Sequence, residues 1–179
     1  MKTNLVVLTL AAMFVASVGF AQKKPDPTLR SILLEQLKTT HDVKDWFVPV
    51  NIALADMTPE QANWTDGKGN HSVAQLATHL IFWNETLLAK FKGTKPPEYN
   101  GNNAETFSPV DKDSWPATLK KIDGIMKEWE KIVETADEAT LKGWYSTIAH
   151  IGAHNAYHIG QILYVRKLQG SWDPEKGVK

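Results

Sequence analysis

The 179-residue chain contains no cysteine. Any metal it binds must therefore be held by histidine, carboxylate or water, and any thiol in its chemistry must come from a substrate. A lipid-acylated N-terminus is excluded as well, and the absence of an unpaired thiol suits an oxidising compartment. An excess of charge of either sign is also missing: 20 Lys and Arg face 20 Asp and Glu. No basic patch suggests nucleic acid, and the interspersed Lys and Glu read as solvated helix faces. A comfortable membrane span is absent too. The longest apolar run, Leu5 to Phe20, is about 16 residues, where a spanning helix needs about 20. No strand alternation and no internal repeat compete with a helical reading.

The N-terminus has the marks of a secretory signal. Lys2 precedes the apolar run, and Gly19 and Ala21 are small residues at −3 and −1 of a break before Gln22. We expect residues 1–21 to be a signal peptide, with a retained N-terminal anchor as the alternative. The expected location is then periplasmic or secreted, with no stable membrane association after cleavage. Residues 22–179 are one domain of ordinary size, with a net charge of −1.

Four long helices are expected in that domain. The first spans about Asp26 to Leu54 on a stripe of Leu29, Ile32, Leu33, Leu37 and Val43, with a kink or break near Phe47 caused by Pro49. Met57 to Glu60 starts a turn, and Asn63 to Asn70 is a polar loop. The second helix runs from about Ser72 to Phe91, opened by a Ser72–Gln75 capping box and closed by Gly93. Residues 93–113 form a long crossover or lid. The third helix starts near Ser114 with Pro116 in its first turn. An acidic connection, Glu134 to Glu138, leads to a fourth helix that begins at Leu141 or Thr147 and ends at Leu168 before Gly170. The expected class is all-α, an antiparallel four-helix bundle.

Within the fourth helix, His150, His154 and His158 recur at four-residue spacing, which stacks them along one face. Two such imidazoles form half of a transition-metal site. On the second helix His79 lies three residues after Leu76 and four before Trp83, on the core-facing stripe. Facing helices of a bundle can bring such side chains to one point, so we expect His79, His154 and His158 to converge on one metal ion. Hydrogen-bonded core histidines are the competing reading, and the spacing does not decide between the two. His150 is expected in an auxiliary position, and Gln161 is placed to orient the His158 ring. Zincin proteases pair histidines at this spacing too, but carry Glu after the first one; here that residue is Asn155, which cannot act as a base. His41 and His71 are expected in packing roles. Trp83, Trp144, Tyr145 and Tyr157 are expected in the core or in a pocket wall. Glu85, about 240° around the helix from His79, falls off the ligand face.

These residues resemble the DinB/YfiT-type family of four-helix metal-binding proteins. The likeness rests on the run Leu54-Ala55-Asp56-Met57-Thr58-Pro59-Glu60-Gln61, the Asn63-Trp64 pair, the segment His71 to Leu80, and the segment His154 to Ile162. It implies a divalent ion, usually zinc or nickel, held by His79, His154 and His158, and allows for a homodimer. Characterised relatives include thiol-S-transferases and an isomerase that use low-molecular-weight thiols. An exported chain departs from them, because such thiols are mainly cytosolic. The expected function is a metal-dependent enzyme that activates water or a substrate thiol, acting on a small molecule as a hydrolase or transferase. A non-catalytic metal-binding or stress-related module is the alternative. The enzyme requires an open coordination position beside a pocket; the module requires a site closed by further protein ligands, with His150 the candidate.

Overall fold

The computed structural model describes residues 26–178; the proposed signal peptide at 1–21 lies outside them. Among the described residues there are helices and no strands. The α-helices are α1 (Leu29–His41), α2 (Val50–Ala53), α3 (Pro59–Asn63), α4 (Val73–Phe91), α5 (Trp115–Thr135) and α6 (Glu138–Leu168). None is long and apolar enough to cross a membrane.

The expected bundle is built from α1, α4, α5 and α6. Helices α1 and α4 each pack against both α5 and α6, so α1 lies diagonally opposite α4. Contacts along the helices give their directions. Glu85 pairs with Lys121 and Lys92 with Glu128, so α4 and α5 run parallel. His79 meets His158 while Asn84 meets Asn155, so α4 and α6 run antiparallel. Arg30 reaches the last turn of α5 while His41 reaches Asp123 and Glu130, so α1 and α5 also run antiparallel. Two parallel neighbours joined in sequence need a long return, and residues 93–114 supply it.

The helix starts are set locally. Thr28, Thr58 and Ser72 each accept a hydrogen bond from the backbone N–H three residues on, and the side chain at that position accepts one from the backbone N–H of the cap residue. Asp137 caps α6 through the Thr140 N–H, so α6 begins at Glu138, before either expected start. The acidic connection shrinks to Ala136 and Asp137. The first expected helix also needs correction. Instead of running to Leu54 with a kink or break near Phe47, it stops at His41, and the chain stays irregular until Pro49, the N-cap of the single turn of α2. Pro49 bars its predecessor from helical backbone, and Val43 and Asp45 are weak helix formers. The expected turn at Met57 to Glu60 continues into the short helix α3.

Trp115, Trp129, Leu80, Ile122, Ile148, Ile159 and Ile162 fill the interior, each 2 % exposed or less. Two arginines tie the chain connections to it. Arg30 donates to the carbonyls of Val133, Glu134 and Ala136 at the end of α5. Arg166, 2 % exposed, donates to the carbonyls of Ala53 at the end of α2, Ala55 just beyond it, and Ser171 after α6.

Candidate metal centre

The antiparallel contact of α4 with α6 brings His79, His154 and His158 together, close enough to hold a metal ion. His79 is 3 % exposed and His158 6 %, while His154 is half-buried. The Nε2 atoms converge: His154 Nε2 lies 3.2 Å from that of His79 and 3.1 Å from that of His158.

The outer ring nitrogens fix the tautomers. Thr106 uses its hydroxyl proton to donate to the Asn103 carbonyl at 2.7 Å. Its Oγ1 must then accept from His79 Nδ1–H, at 2.6 Å. Gln161 donates its amide to Tyr157 Oη, and its Oε1 accepts from His158 Nδ1–H at 2.6 Å. With Nδ1 protonated on both rings, neutral His79 and His158 each present a bare Nε2 lone pair to His154. A neutral His154 carries one ring proton and can satisfy at most one of them. At least one buried lone pair is left facing another nitrogen.

A further proton is an expensive remedy. Burial, followed by the neighbouring His158, His154 and His71, pushes His79 down to about 3. Burial and then His158 push His154 down to about 4. His158 is also lowered, by burial, against the opposing hydrogen bond that its Nδ1–H donates to Gln161. Three neutral imidazoles converging through Nε2 fit a divalent cation. Metal–imidazole bonds of about 2.0–2.1 Å place two ligand nitrogens roughly 3.3 Å apart at a tetrahedral angle and roughly 2.9 Å apart at a right angle. The observed 3.1 and 3.2 Å fall between these values.

Aromatic rings wall the triad. Phe107 stacks on His79 at 3.9 Å between centroids and 9° between planes. On its other face His71 stacks at 3.8 Å and 3°. The pocket at the triad, about 490 Å³, is lined by the three histidines with His71, Trp83, Asn103, Phe107, Tyr157 and Gln161, with no carboxylate among the described residues that line it. Thr106 and Phe107 belong to the crossover, where no helical period marks them as site residues. His71 packs at the start of α4 as expected, and also beside the triad.

The remaining candidates sit elsewhere. His150 is exposed and donates from Nδ1 to the Ser146 carbonyl at 2.7 Å, so it does not join the triad. Asn155, 1 % exposed, turns away from the pocket and accepts from Asn84 at 2.8 Å. Glu85 pairs with Lys121 on another face. Trp144 and Tyr145 pack against the core away from the triad, whereas Trp83 and Tyr157 line its pocket. His41, fully buried, also lies near two carboxylates at metal-ligand distances, those of Asp42 and Glu130. Its ring nitrogens are already engaged, by Glu130 at 2.6 Å and Asp123 at 3.0 Å, so its role is to tie α1 to α5.

The DinB superfamily profile matches residues 50–162, which include all three histidines and the crossover. No curated protein and no solved structure matches the chain. The match covers well over half the chain, which therefore belongs to the DinB superfamily.

Proposed function

We propose that this DinB-superfamily chain holds one divalent metal ion, zinc or nickel, through Nε2 of His79, His154 and His158, and works as a metal-dependent enzyme on a small molecule. The surplus of buried Nε2 lone pairs at the triad carries the reading. A divalent ion bound there supplies Lewis acidity that favours the deprotonated form of a water or a substrate thiol. The protein's part is positional. Thr106 and Gln161 hold the His79 and His158 rings in the tautomer that presents Nε2. Phe107 and Trp83 cover the ligands with apolar surface, which strengthens electrostatic interactions inside the pocket.

An enzyme is favoured over a closed metal-binding module because His150, the candidate fourth ligand, is turned to the Ser146 carbonyl while a pocket lies against the triad. With no carboxylate in that pocket, His71 and Tyr157 are the groups placed to relay a proton. The reaction is hydrolytic if the nucleophile is water and a transfer if it is a thiol. We place the protein outside the cytoplasm, on the strength of the signal-like N-terminus, and regard a homodimer as its assembly; the N-terminal residue of protein recovered from cells and the mass of the particle in solution test these two points.

Metal analysis of the purified chain beside His154→Ala tests the centre. One equivalent of metal per chain is expected in the wild type and under a tenth in the variant. Wild-type protein carrying no more zinc, nickel, manganese or iron than the variant would end the proposal. A thiol-transfer assay on metal-loaded protein then separates transferase from hydrolase.

A further inference from the structure

His150, the ladder member left out of the triad, lines a second and larger cavity of about 610 Å³ between α4 and α6. Trp83, Leu87, Ile151, Ala153 and Tyr157 supply its apolar and aromatic wall, beside the polar but formally uncharged Asn84, Ser146 and Thr147 and the two histidines. Among the described residues no aspartate, glutamate, lysine or arginine contributes to it. Trp83, His154 and Tyr157 line this cavity and the triad pocket alike, so the two spaces share a boundary at a candidate metal ligand. A molecule lying in the larger cavity would present one end to the triad.

The volume falls in the usual range for small-molecule sites, about 300–1,000 Å³. The lining selects the chemistry. Indole and phenol rings offer flat apolar surface to a planar ligand. An ionic group on the body of the ligand would lose its hydration there with no aspartate, glutamate, lysine or arginine of the wall to replace it, the proposed ion lying only at the triad end. We infer that this cavity is the substrate-binding trough and that it takes an uncharged small molecule with a flat, aromatic or alicyclic body, its reacting end directed past Trp83 and Tyr157 to His154. The inference names the substrate class for the proposed metal centre and rests on that reading for the word substrate.

A matched pair of probes tests it. N-phenyl-1-naphthylamine is uncharged and fluoresces in apolar surroundings; 1-anilinonaphthalene-8-sulfonate has the same skeleton with a sulfonate. Titrated into the zinc-treated full chain, the neutral probe is expected to saturate at one per chain and the sulfonate to bind at least tenfold more weakly. Ala153 is exposed on α6, so Ala153→Trp fills the trough from the solvent side. It is expected to weaken the neutral probe at least tenfold while zinc content stays at the wild-type level. Thr147→Phe, from the neighbouring turn, gives the same reading if Ala153→Trp does not fold. His79→Ala is expected to lose zinc and keep the probe, since His79 does not line the trough. The inference is overturned if the neutral probe does not bind, if the sulfonate binds as tightly, or if trough-filling variants bind the probe like wild type. Probe bound in the trough by a wild-type chain that retains no zinc would instead defeat the metal reading and leave the trough standing.

Discussion

Acidification should unfold the metal-free protein from the triad outward. Burial lowers His79 to about 3 and His154 to about 4, against 6.5 for both in an unfolded chain. A histidine kept neutral by the fold binds fewer protons than the same residue unfolded. Stability is therefore fully present above the unfolded value of 6.5 and falls as the pH drops below it, until the native pKa is reached and both states are protonated. Each such residue gives a slope of about 1.4 kcal/mol per pH unit inside that window. Integrated from neutral pH to about pH 4.5, the two residues together remove at most about 5 kcal/mol. That is a large part of the 5–15 kcal/mol typical of a folded domain. Urea unfolding of chelator-treated protein at pH 7, 6, 5 and 4.5 measures it, with a His79→Leu/His154→Leu double variant as the reference that lacks both groups. Wild type is expected to lose several kcal/mol more than the variant across the series. If the two curves run parallel, the triad is not held neutral by the fold and the electrostatic argument fails. Zinc at a hundred times its dissociation constant should add about 2.7 kcal/mol at pH 7 and make the fall with acid steeper, because protons and metal compete for the same nitrogens.

Other perturbations separate the parts of the site. Thr106→Val and Gln161→Leu remove the acceptors behind His79 and His158 and are expected to weaken metal binding about 10- to 100-fold, read by competition with a chromogenic chelator, with helix content unchanged. Asn84 donates to Asn155 and to the Leu80 carbonyl, while its Oδ1 has no hydrogen-bond partner among the described residues. Asn155→Leu alone should cost about 1–3 kcal/mol in urea unfolding, and adding Asn84→Leu should recover most of it, because no polar group is then stranded. A Cβ on Gly152 would stand 2.6 Å from Gln36 Cδ and 2.7 Å from its Cγ. The atoms met are the far end of a flexible side chain, so Gly152→Ala is expected to push Gln36 aside at a cost that the helix-propensity gain of about 0.5–1 kcal/mol roughly offsets, and Gln36→Ala in the same chain to turn it into a net gain in urea unfolding; a single-variant loss above about 2 kcal/mol would refute the reasoning.

What could be read from the residues, and what could not, divides along the range of the forces involved. Helix α4 was legible almost to the residue, because Ser72, Gln75 and the apolar spacing to Leu87 are local signals that the packed bundle reinforces. The convergence of the three histidines was legible for the same reason: periodicity placed His79, His154 and His158 on inward faces. The end of α1 was not. His41 is fully buried between Asp123 and Glu130, an attachment about 80 to 90 residues away in the chain. The early start of α6 has a readable signal in Asp137, three residues before Thr140, but among Glu134, Asp137 and Glu138 a capping aspartate looks the same as an acidic connection. Thr106 and Phe107 lie in a crossover with no period, and they reach His79 only through the folded path of that loop.

The stack of His71, Phe107 and His79 bears on entropy. A histidine ring in an open pocket samples several orientations, and gathering three of them around an ion costs binding free energy. Here one ring is clamped face-on by a phenyl group that is clamped in turn by a third ring, and its Nδ1 is held by a threonine from the same loop. Folding has already taken away that freedom before any ion arrives. Apo and loaded protein should then be nearly superimposable around the triad, and the binding energy a looser site would use to arrange its ligands is available to hold the ion or act on what it carries.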